Sequence, residues 1–310
     1  MIEYDVAIIG AGAAGMMCAV EAGKRGRTVT LIEHADKPGE KIRISGGGRC
    51  NFTNLHCGPN NFCDGPATQI IDALRGEMRD AGVGLRLGVS VTSHVRKGEG
   101  FELRLSDGTV FRCRSLVIAT GGKSIPKMGA TGFAYDVAKT YGLDVTETRP
   151  ALVPLTFGPE ILERFKPIAG VAVDAVVSAG KTSFEEALLF THRGLSGPAI
   201  LQISSYWREG DEISISFQPG FGIFDELKSQ RGENGRQAIG TAMSVFLPKR
   251  LAQLLAADCG LTGNLADQSD KKLKALEAWL RDWRIKPTGS EGYRTAEVTL
   301  GGVDTAGLDS

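Results

Sequence analysis

The fold is decided by the first residues of the chain, which read Asp5-Val6-Ala7-Ile8-Ile9-Gly10-Ala11-Gly12-Ala13-Ala14-Gly15. The apolar run that ends at Ile9 predicts a buried parallel strand, and the glycines behind it predict a tight turn into a helix. The helical stretch continues to Arg25, and a second apolar strand, Thr28 to Ile32, leads into Glu33. Strand, glycine-rich turn, helix and strand in this order form the first unit of a dinucleotide-binding domain.

Each glycine of the turn has its own predicted role. Gly10 permits the tight turn, Gly12 lets the backbone approach a pyrophosphate, and Gly15 lets the helix lie close to the sheet. The unpaired N–H groups at the helix start, around Ala13 and Ala14, are predicted to face the anion.

Glu33 stands at the carboxyl end of the second predicted strand. A carboxylate in this position is placed to accept hydrogen bonds from ribose hydroxyls, and it would repel a 2′-phosphate. The turn and the acid together predict a bound dinucleotide without a 2′-phosphate.

Length and charge narrow the class of protein. The chain has 310 residues, which is more than one core usually serves, so we expect two lobes or a domain with a large insertion. Lys plus Arg and Asp plus Glu number 36 each, so no overall field attracts nucleic acid or an anionic membrane. No stretch reaches the roughly 18 to 20 apolar residues that span a bilayer, and a cytoplasmic location is the expectation.

The six cysteines contain no C-x-x-C pair. Cys18 and Cys113 fall within a predicted helix and a predicted strand, and we expect both to be buried thiols in a reducing compartment. No cluster of His, Cys, Asp and Glu has the spacing of metal ligands, so no metal is expected.

In the middle of the first half of the sequence, the residue pattern predicts a helix followed by a small antiparallel meander. The helix lies between about Pro66 and Ala81, and the strands are Gly84–Leu87, Val89–Val95, Phe101–Leu105 and Thr109–Arg114. A buried strand ending in small residues, Leu116-Val117-Ile118-Ala119-Thr120-Gly121-Gly122, follows directly. This order of elements is typical of flavin-binding domains rather than of nicotinamide dehydrogenases.

The pattern changes beyond Pro150. Val171–Val177 and Glu212–Phe217 predict strands of a barrel-like lobe, and Phe224 to Trp283 is predominantly helical. Ser269 is predicted to cap a helix whose core-facing side chains are Leu273, Leu276, Leu280 and Trp283, and Thr295–Leu300 again predicts a strand.

A second glycine-rich segment is more distinctive than the first. It reads Ser45-Gly46-Gly47-Gly48-Arg49-Cys50-Asn51-Phe52-Thr53-Asn54. With the first 33 residues, Ala119–Gly122 and Phe190–Pro198, it strongly resembles the YhiN/BaiN-like FAD-dependent flavoprotein family, which includes aminoacetone-oxidase-like enzymes. The resemblance implies an α/β fold in which a glutathione-reductase-type, Rossmann-like FAD-binding domain carries an inserted β-barrel plus helical domain.

The resemblance and the first motif together assign the cofactor FAD to a set of residues. These are Gly10, Gly12, Ala13, Ala14, Gly15, Glu33, Arg43, Ser45, Gly46, Gly47, Arg49, Cys50, Asn51, Ala119, Thr120 and Gly121. The Ser45–Asn51 loop is expected beside the flavin, Ala119–Gly121 beside the adenine, and Thr191–Pro198 near a substrate cavity.

The implied domains are an FAD-binding domain over 1–150, with its meander at about 84–114, and an insert over 151–298. The insert divides into a barrel at about 151–218 and a helical part at about 222–286, and 299–310 starts the return to the FAD domain. Members of the family continue past Gly301-Gly302-Val303 to complete the flavin pocket. We therefore expect the sequence to be truncated and to hold FAD weakly.

Several side chains near these motifs have two interpretations. Arg43 and Arg49 would bind a phosphate or a substrate carboxylate, or would instead stabilise the glycine-rich loop through contacts with backbone carbonyl groups. Cys50 lacks a partner thiol two residues away, which favours a packing role over a redox role. His192 is a candidate proton donor or substrate anchor, or it fixes its loop.

The predicted function is that of a FAD-dependent oxidoreductase. Hydride passes between flavin N5 and a small organic substrate, either an amine or aminoketone or an enone-like molecule. No second G-x-G-x-x-G motif is present, which favours electrons entering from the substrate and leaving to oxygen or another acceptor, with NAD(P)H docking at most transiently.

The alternative is an RNA-binding or RNA-modifying flavoprotein whose insert is a binding module. It is suggested by the cations of the late helix, Lys271, Lys272, Lys274, Arg281, Arg284 and Lys286. Glu277 and Asp282 alternate with these cations, and Trp279 and Trp283 fit a packed face, so a solvated helix is favoured. Nucleic acid, metal and membrane are accordingly not among the expected partners.

Overall fold

The computed structural model describes residues 2–45, 50, 65–217 and 222–309. It divides the chain into two compact units, Met1–Thr146 with Gly302–Ser310, and Glu147–Gly301. The chain leaves the first unit and returns to it, so the second unit is an insertion in the first.

The first unit is built on one six-stranded sheet. Its strands are β1 (Ile2–Ile9), β2 (Val29–Ile32), β3 (Gly84–Arg86), β4 (Val91–Lys97), β5 (Gly100–Leu105) and β6 (Val110–Ile118), in the spatial order β3-β2-β1-β6-β5-β4. β3, β2, β1 and β6 run parallel, whereas β4, β5 and β6 pair antiparallel.

Two details of the predicted meander are wrong. The segment predicted as Gly84–Leu87 is not part of it, because β3 pairs in parallel with β2. The last meander strand and the buried strand after it are one continuous strand, β6, which pairs with β5 at its start and with β1 along most of its length. β6 lies between β1 and β5 and pairs with both over Phe111–Cys113, so its backbone has no break, and the sequence pattern does not distinguish this arrangement from two strands.

Helices of the first unit are α1 (Ala13–Lys24), α2 (Glu40–Ile44), α3 (Thr68–Asp80) and α4 (Phe133–Thr140). α1 connects β1 to β2 and packs on the sheet through Met16, Ala19 and Val20, which are almost fully buried. Gly23 brings α1 against the end of α3, where a Cβ would come within 3 Å of Ala81. The parallel strands are thus covered by close-packed helices, as such sheets require.

The second unit is built on a seven-stranded sheet and a two-stranded one. Its strands are β7 (Arg149–Ala151), β8 (Leu155–Thr156), β9 (Ala172–Ala179), β10 (Thr182–Thr191), β11 (Gly194–Ser196), β12 (Ile213–Ser216), β13 (Trp283–Ile285), β14 (Gly289–Ser290) and β15 (Val298–Leu300). The larger sheet has the order β13-β12-β9-β10-β11-β8-β14, and β15 pairs with β7.

Six α-helices lie among the described residues of the second unit. They are α5 (Pro159–Phe165), α6 (Pro198–Ser204), α7 (Ile223–Asn234), α8 (Ile239–Met243), α9 (Lys249–Asp258) and α10 (Asp270–Arg281). Ser269 caps α10 as predicted, its side chain accepting a hydrogen bond from Lys272 N. Leu273, Leu276 and Leu280 are buried as predicted, whereas Trp283, also buried, lies in β13 beyond the helix end. Among the described residues, no helix is long and apolar enough to cross a membrane.

We predict that Leu273→Ala destabilises the second unit by about 2–5 kcal/mol, because it removes a fully buried side chain and leaves a cavity. All three tryptophans, Trp207, Trp279 and Trp283, lie in this unit, so urea denaturation followed by tryptophan fluorescence reports on it. Lys271→Ala, on the exposed face of the same helix, is the control and should leave the midpoint nearly unchanged. Equal midpoints for the two variants would contradict the packing of α10.

Candidate functional site

A cavity of about 720 Å³ lies at the carboxyl ends of the parallel strands of the first unit. Its lining includes the ends of β1, β2 and β6, the residues just before β4, and the segment from Met128 to Phe133. The carboxyl edge is where open α/β sheets bind ligands, and the volume falls in the range of small-molecule and cofactor sites.

Backbone packing at one corner of the cavity allows only glycine. Gly10 has a φ of +105°, and a Cβ there would lie 2.6 Å from the carbonyl oxygen of Ala119. A Cβ on Gly15 would overlap the carbonyl oxygen of Gly10. The end of β1, the start of α1 and the residue after β6 are therefore in direct backbone contact.

Gly12 differs from the other two glycines. It is the N-cap of α1, with an ordinary φ of −78°, and a Cβ would meet nothing within 4 Å. Ala13 and Ala14 line the cavity with it, and no side chain of the described residues caps the N-terminus of α1. The first N–H groups of α1 and the positive end of its dipole therefore face open space, which suits an anion.

Glu33 is held rigidly in the cavity wall. Its Oε2 accepts a hydrogen bond from Ala11 N at 2.7 Å, and its Oε1 accepts one from Ala35 N at 3.0 Å. His34 Nδ1 also lies 3.0 Å from Oε1. Only 12% of the side chain of Glu33 is exposed, so backbone donors fix the carboxylate while a second lone pair on Oε2 can accept from a ligand hydroxyl.

Ala119, Thr120 and Gly121 line the cavity directly after β6. Thr120 Oγ1 is buried and has no hydrogen-bond partner within the described residues. A buried hydroxyl without a partner is costly, so a ligand that hydrogen-bonds to it would be favoured.

The second glycine-rich segment is described in part. Ser45 and Cys50 line the cavity, and Cys50 N donates to Ser45 O at 2.9 Å. The other predicted residues of this loop, Gly46, Gly47, Arg49 and Asn51, lie outside the described residues.

The contacts of Arg43 favour a role in holding the local backbone over a role in binding a ligand. Its Nη2 donates to Pro38 O at 3.3 Å, and its Nε lies 3.4 Å from Glu40 Oε1. It does not line the described part of the cavity.

His192 lies in the second unit, at the exposed tip of the two-residue turn between β10 and β11. Thr191 organises this turn, since its Oγ1 accepts hydrogen bonds from Arg193 N and Gly194 N. His192 is not part of the cavity lining, which comes from the first unit.

Several residues of the cavity lining were not predicted, and two of them, His34 and Lys41, carry nitrogen groups that could contact a ligand. His34 follows Glu33 directly, and Lys41 lies in the first turn of α2, where its Nζ donates to Ser124 Oγ at 3.0 Å. Burial lowers the pKa of Lys41. Neither residue belongs to a recognisable spacing, and only the position next to Glu33 could have drawn attention to His34.

Comparison with known proteins agrees with this architecture. The chain matches the HI0933-like protein Rossmann domain over residues 4–65 and the HI0933-like protein barrel and H2TH domain over residues 149–298. The ribosomal RNA dihydrouridine synthase of Escherichia coli (strain K12) is 44% identical, with 100% of this chain and 88% of that protein aligned.

Two further relatives also align with nearly the whole chain. The ribosomal RNA dihydrouridine synthase of Haemophilus influenzae is 35% identical, over 98% of this chain and 86% of that protein. The 3-dehydro-bile acid delta(4,6)-reductase of Clostridium scindens is 27% identical, over 97% and 87%. The E. coli alignment has 356 positions, so at least 46 of them face a gap in this chain of 310 residues.

The Rossmann-type unit, with its cavity on the N-terminus of α1, defines a dinucleotide-binding protein. The chain belongs to the HI0933-like family, which confirms the predicted resemblance and fold class. It is a FAD-dependent oxidoreductase, and the predicted cofactor, FAD, is confirmed. Within the part of the chain that the structure describes, the uncapped N-terminus of α1, the room at Gly12 and the Thr120 hydroxyl without a hydrogen-bond partner all fit such a group.

We predict opposite effects for two glycine substitutions in the same turn. Gly12→Val should abolish FAD binding while changing the free energy of unfolding by less than about 1 kcal/mol, because its side chain projects into the cavity without a clash. Gly15→Ala should destabilise the first unit by about 3 kcal/mol or more, because its Cβ overlaps the Gly10 carbonyl.

The measurements are fluorescence titration with FAD and hydrogen exchange of the α1 amides in the FAD-free proteins. Normal FAD affinity in the Gly12 variant would count against the cavity as the FAD site. Unchanged α1 protection in the Gly15 variant would contradict the backbone packing described above.

Proposed function

We propose that this protein reduces uridine to dihydrouridine in ribosomal RNA, using FAD bound in the cavity of the first unit. The observation that carries the proposal is the 44% identity, across the whole chain, to the E. coli protein named ribosomal RNA dihydrouridine synthase. The H. influenzae relative of the same name supports the same assignment.

The chemistry of this product fits the cofactor. Dihydrouridine differs from uridine by one hydrogen at C5 and one at C6, and the double bond that is lost is conjugated to the C4 carbonyl. Reduced flavin supplies a hydride, which suits C6 as the electron-poor end of that bond, while a proton is needed at C5.

This direction of electron flow is the reverse of the one favoured by the sequence. Electrons pass to the organic substrate, and a separate donor such as NAD(P)H must reduce the flavin before each turnover. None of the three relatives is named as an amine oxidase, so reduction of a conjugated double bond is favoured over oxidation of an amine or aminoketone.

The residues of the cavity have distinct proposed roles. The N–H groups at the start of α1 bind the pyrophosphate, and Glu33 accepts hydrogen bonds from the adenosine ribose. Thr120 Oγ1 bonds to the cofactor beside the end of β6. The carboxylate of Glu33 needs no rearrangement for this role, because Ala11 N and Ala35 N already hold both of its oxygens.

The second unit offers a surface for RNA on α10. Arg281 and Arg284 are neutralised by Glu277 and Asp282, at 2.8 and 2.9 Å, and Lys274 Nζ lies over the ring of Phe224. Lys271 and Lys272 are exposed and form no ion pair with any described residue.

A smaller cavity of about 320 Å³ lies beside these lysines and is lined by Lys272, Cys259 and Trp279, among others. Lysines next to a partly exposed tryptophan are the kind of surface on which unpaired RNA bases stack while the phosphates are neutralised. We therefore propose that nucleic acid is a partner of this protein.

A small conjugated enone is the second candidate substrate. It rests on the bile acid reductase of C. scindens, which matches this chain over nearly its full length at 27% identity. The two candidates share the reduction of a carbon–carbon double bond conjugated to a carbonyl, and they differ in whether the second unit binds RNA.

We predict that the protein, with FAD and NADPH, forms dihydrouridine in ribosomal RNA transcribed without modifications. Mass spectrometry of the digested RNA should show one nucleotide heavier by two hydrogens, and the Gly12→Val variant should show none. If NADPH oxidation depended on an added 3-keto-4-ene steroid while the RNA stayed unreduced, the RNA assignment would be wrong and the enone assignment favoured.

We also predict that the double variant Lys271→Glu, Lys272→Glu weakens binding of ribosomal RNA on the order of tenfold in moderate salt and lowers the salt dependence of binding. Arg281→Glu is the matched control on the same helix and should have a smaller effect, because Glu277 already neutralises this cation. Filter binding at several salt concentrations measures both quantities. Equal losses for both variants would rule out a specific role for the two lysines.

A further inference from the structure

We propose that Lys41 is the cationic ligand of the FAD pyrophosphate in this protein. The inference rests on FAD occupying the cavity of the first unit, and it is independent of which substrate the enzyme reduces. Three observations support it: the position of Lys41 relative to the glycine-rich turn, the distribution of charge around the cavity, and the surroundings of the ammonium group.

Position is set by the N-terminus of α2. Gly39, the N-cap of α2, donates its N–H to Ala11 O at 2.8 Å, which ties the start of this helix to the glycine-rich turn. Lys41 is the second residue of α2 and lines the same cavity as Gly12 and Ala13. The lysine is thus presented from the helix that adjoins the proposed anion site.

Among the described residues of the cavity lining, the charge is unbalanced for a pyrophosphate without this lysine. Glu33 and Glu40 line the cavity, and Lys41 is the one Lys or Arg side chain among its described lining residues. A pyrophosphate diester carries two negative charges, whereas the end of a helix offers the equivalent of roughly half a positive charge. Glu40 is engaged by Arg43, so it leaves Lys41 available to an anion.

The ammonium of Lys41 has a buried neighbour, although the lysine itself is exposed to solvent. Its Nζ donates to the hydroxyl of Ser124, a residue that is 1% exposed, at 3.0 Å. Desolvation lowers the pKa of Lys41, because partial burial disfavours its charged form. A charge-assisted bond to a phosphate oxygen would compensate this cost, since Ser124 contributes only a neutral oxygen.

The test compares FAD with ADP, which carries the pyrophosphate and adenosine but no flavin. We expect Lys41→Met to weaken the binding of both ligands by a similar factor, about tenfold to a hundredfold. Lys41→Arg should retain most of the affinity for both, because it keeps a cation near the site. Isothermal titration with ADP and flavin fluorescence quenching with FAD give the two dissociation constants.

Lys37→Met is the matched control, because it removes an exposed lysine from the same segment outside the cavity lining. It should leave both dissociation constants unchanged. Circular dichroism of the FAD-free proteins verifies that each variant is folded.

Two results would overturn the proposal. If Lys41→Met weakened FAD but not ADP and also shifted the flavin reduction potential, the lysine would contact the isoalloxazine instead. Unchanged affinity for both ligands would remove Lys41 from the site altogether. If the cavity were not the FAD site, Gly12→Val would leave FAD binding intact, which distinguishes that outcome from an error about Lys41. An error in the RNA assignment would appear only in the assay for dihydrouridine.

Discussion

The site depends on one close contact between backbones. Gly15 in α1 packs on the carbonyl of Gly10, and Gly10 packs on the backbone just after β6, with no room for a Cβ at either glycine. This contact holds the N-terminus of α1 at the carboxyl edge of the sheet. If the helix moved away by the width of a methyl group, its free N–H groups would no longer border the cavity formed by the strand ends.

Most residues that line the cavity are small or apolar, and only a few of them contribute a polar side chain. Backbone N–H groups hold Glu33, and the nearly buried hydroxyl of Ser124 holds Lys41. Fixing these side chains before a ligand arrives reduces the entropy that binding must overcome. The second unit has a different character, with its tightly packed aromatic core around Phe165, Phe190 and Trp283 and its charges on the surface.

The sequence predicted the β1-α1-β2 unit well because its signals are local. The apolar run, the glycines and the acid all lie within 33 residues, and the contacts of Gly15 with Gly10 and of Glu33 with Ala11 are made inside that unit. β10 was not predicted, because Glu185, Glu186 and the leucines that follow are residues common in helices. Its extended conformation comes from pairing along its length with β9. The continuity of β6 and the parallel pairing of β3 were missed for a similar reason, since both depend on the choice of partner strand.

By itself, the sequence determined the family, the cofactor class and the position of the glycine-rich turn. Both the glycines that the turn requires and the spacing of the apolar residues can be recognised within a short stretch of sequence. Only the tertiary structure decided which side chains share the cavity. It brought Lys41 to Ser124, 83 residues later in the chain, directed Arg43 to a carbonyl and a neighbouring acid, and left His192 on a turn of the other unit. These side-chain contacts follow from the packing of α2 and of the loop after β6 against the sheet. Packing between segments that are distant in the chain leaves no periodic pattern in a single sequence.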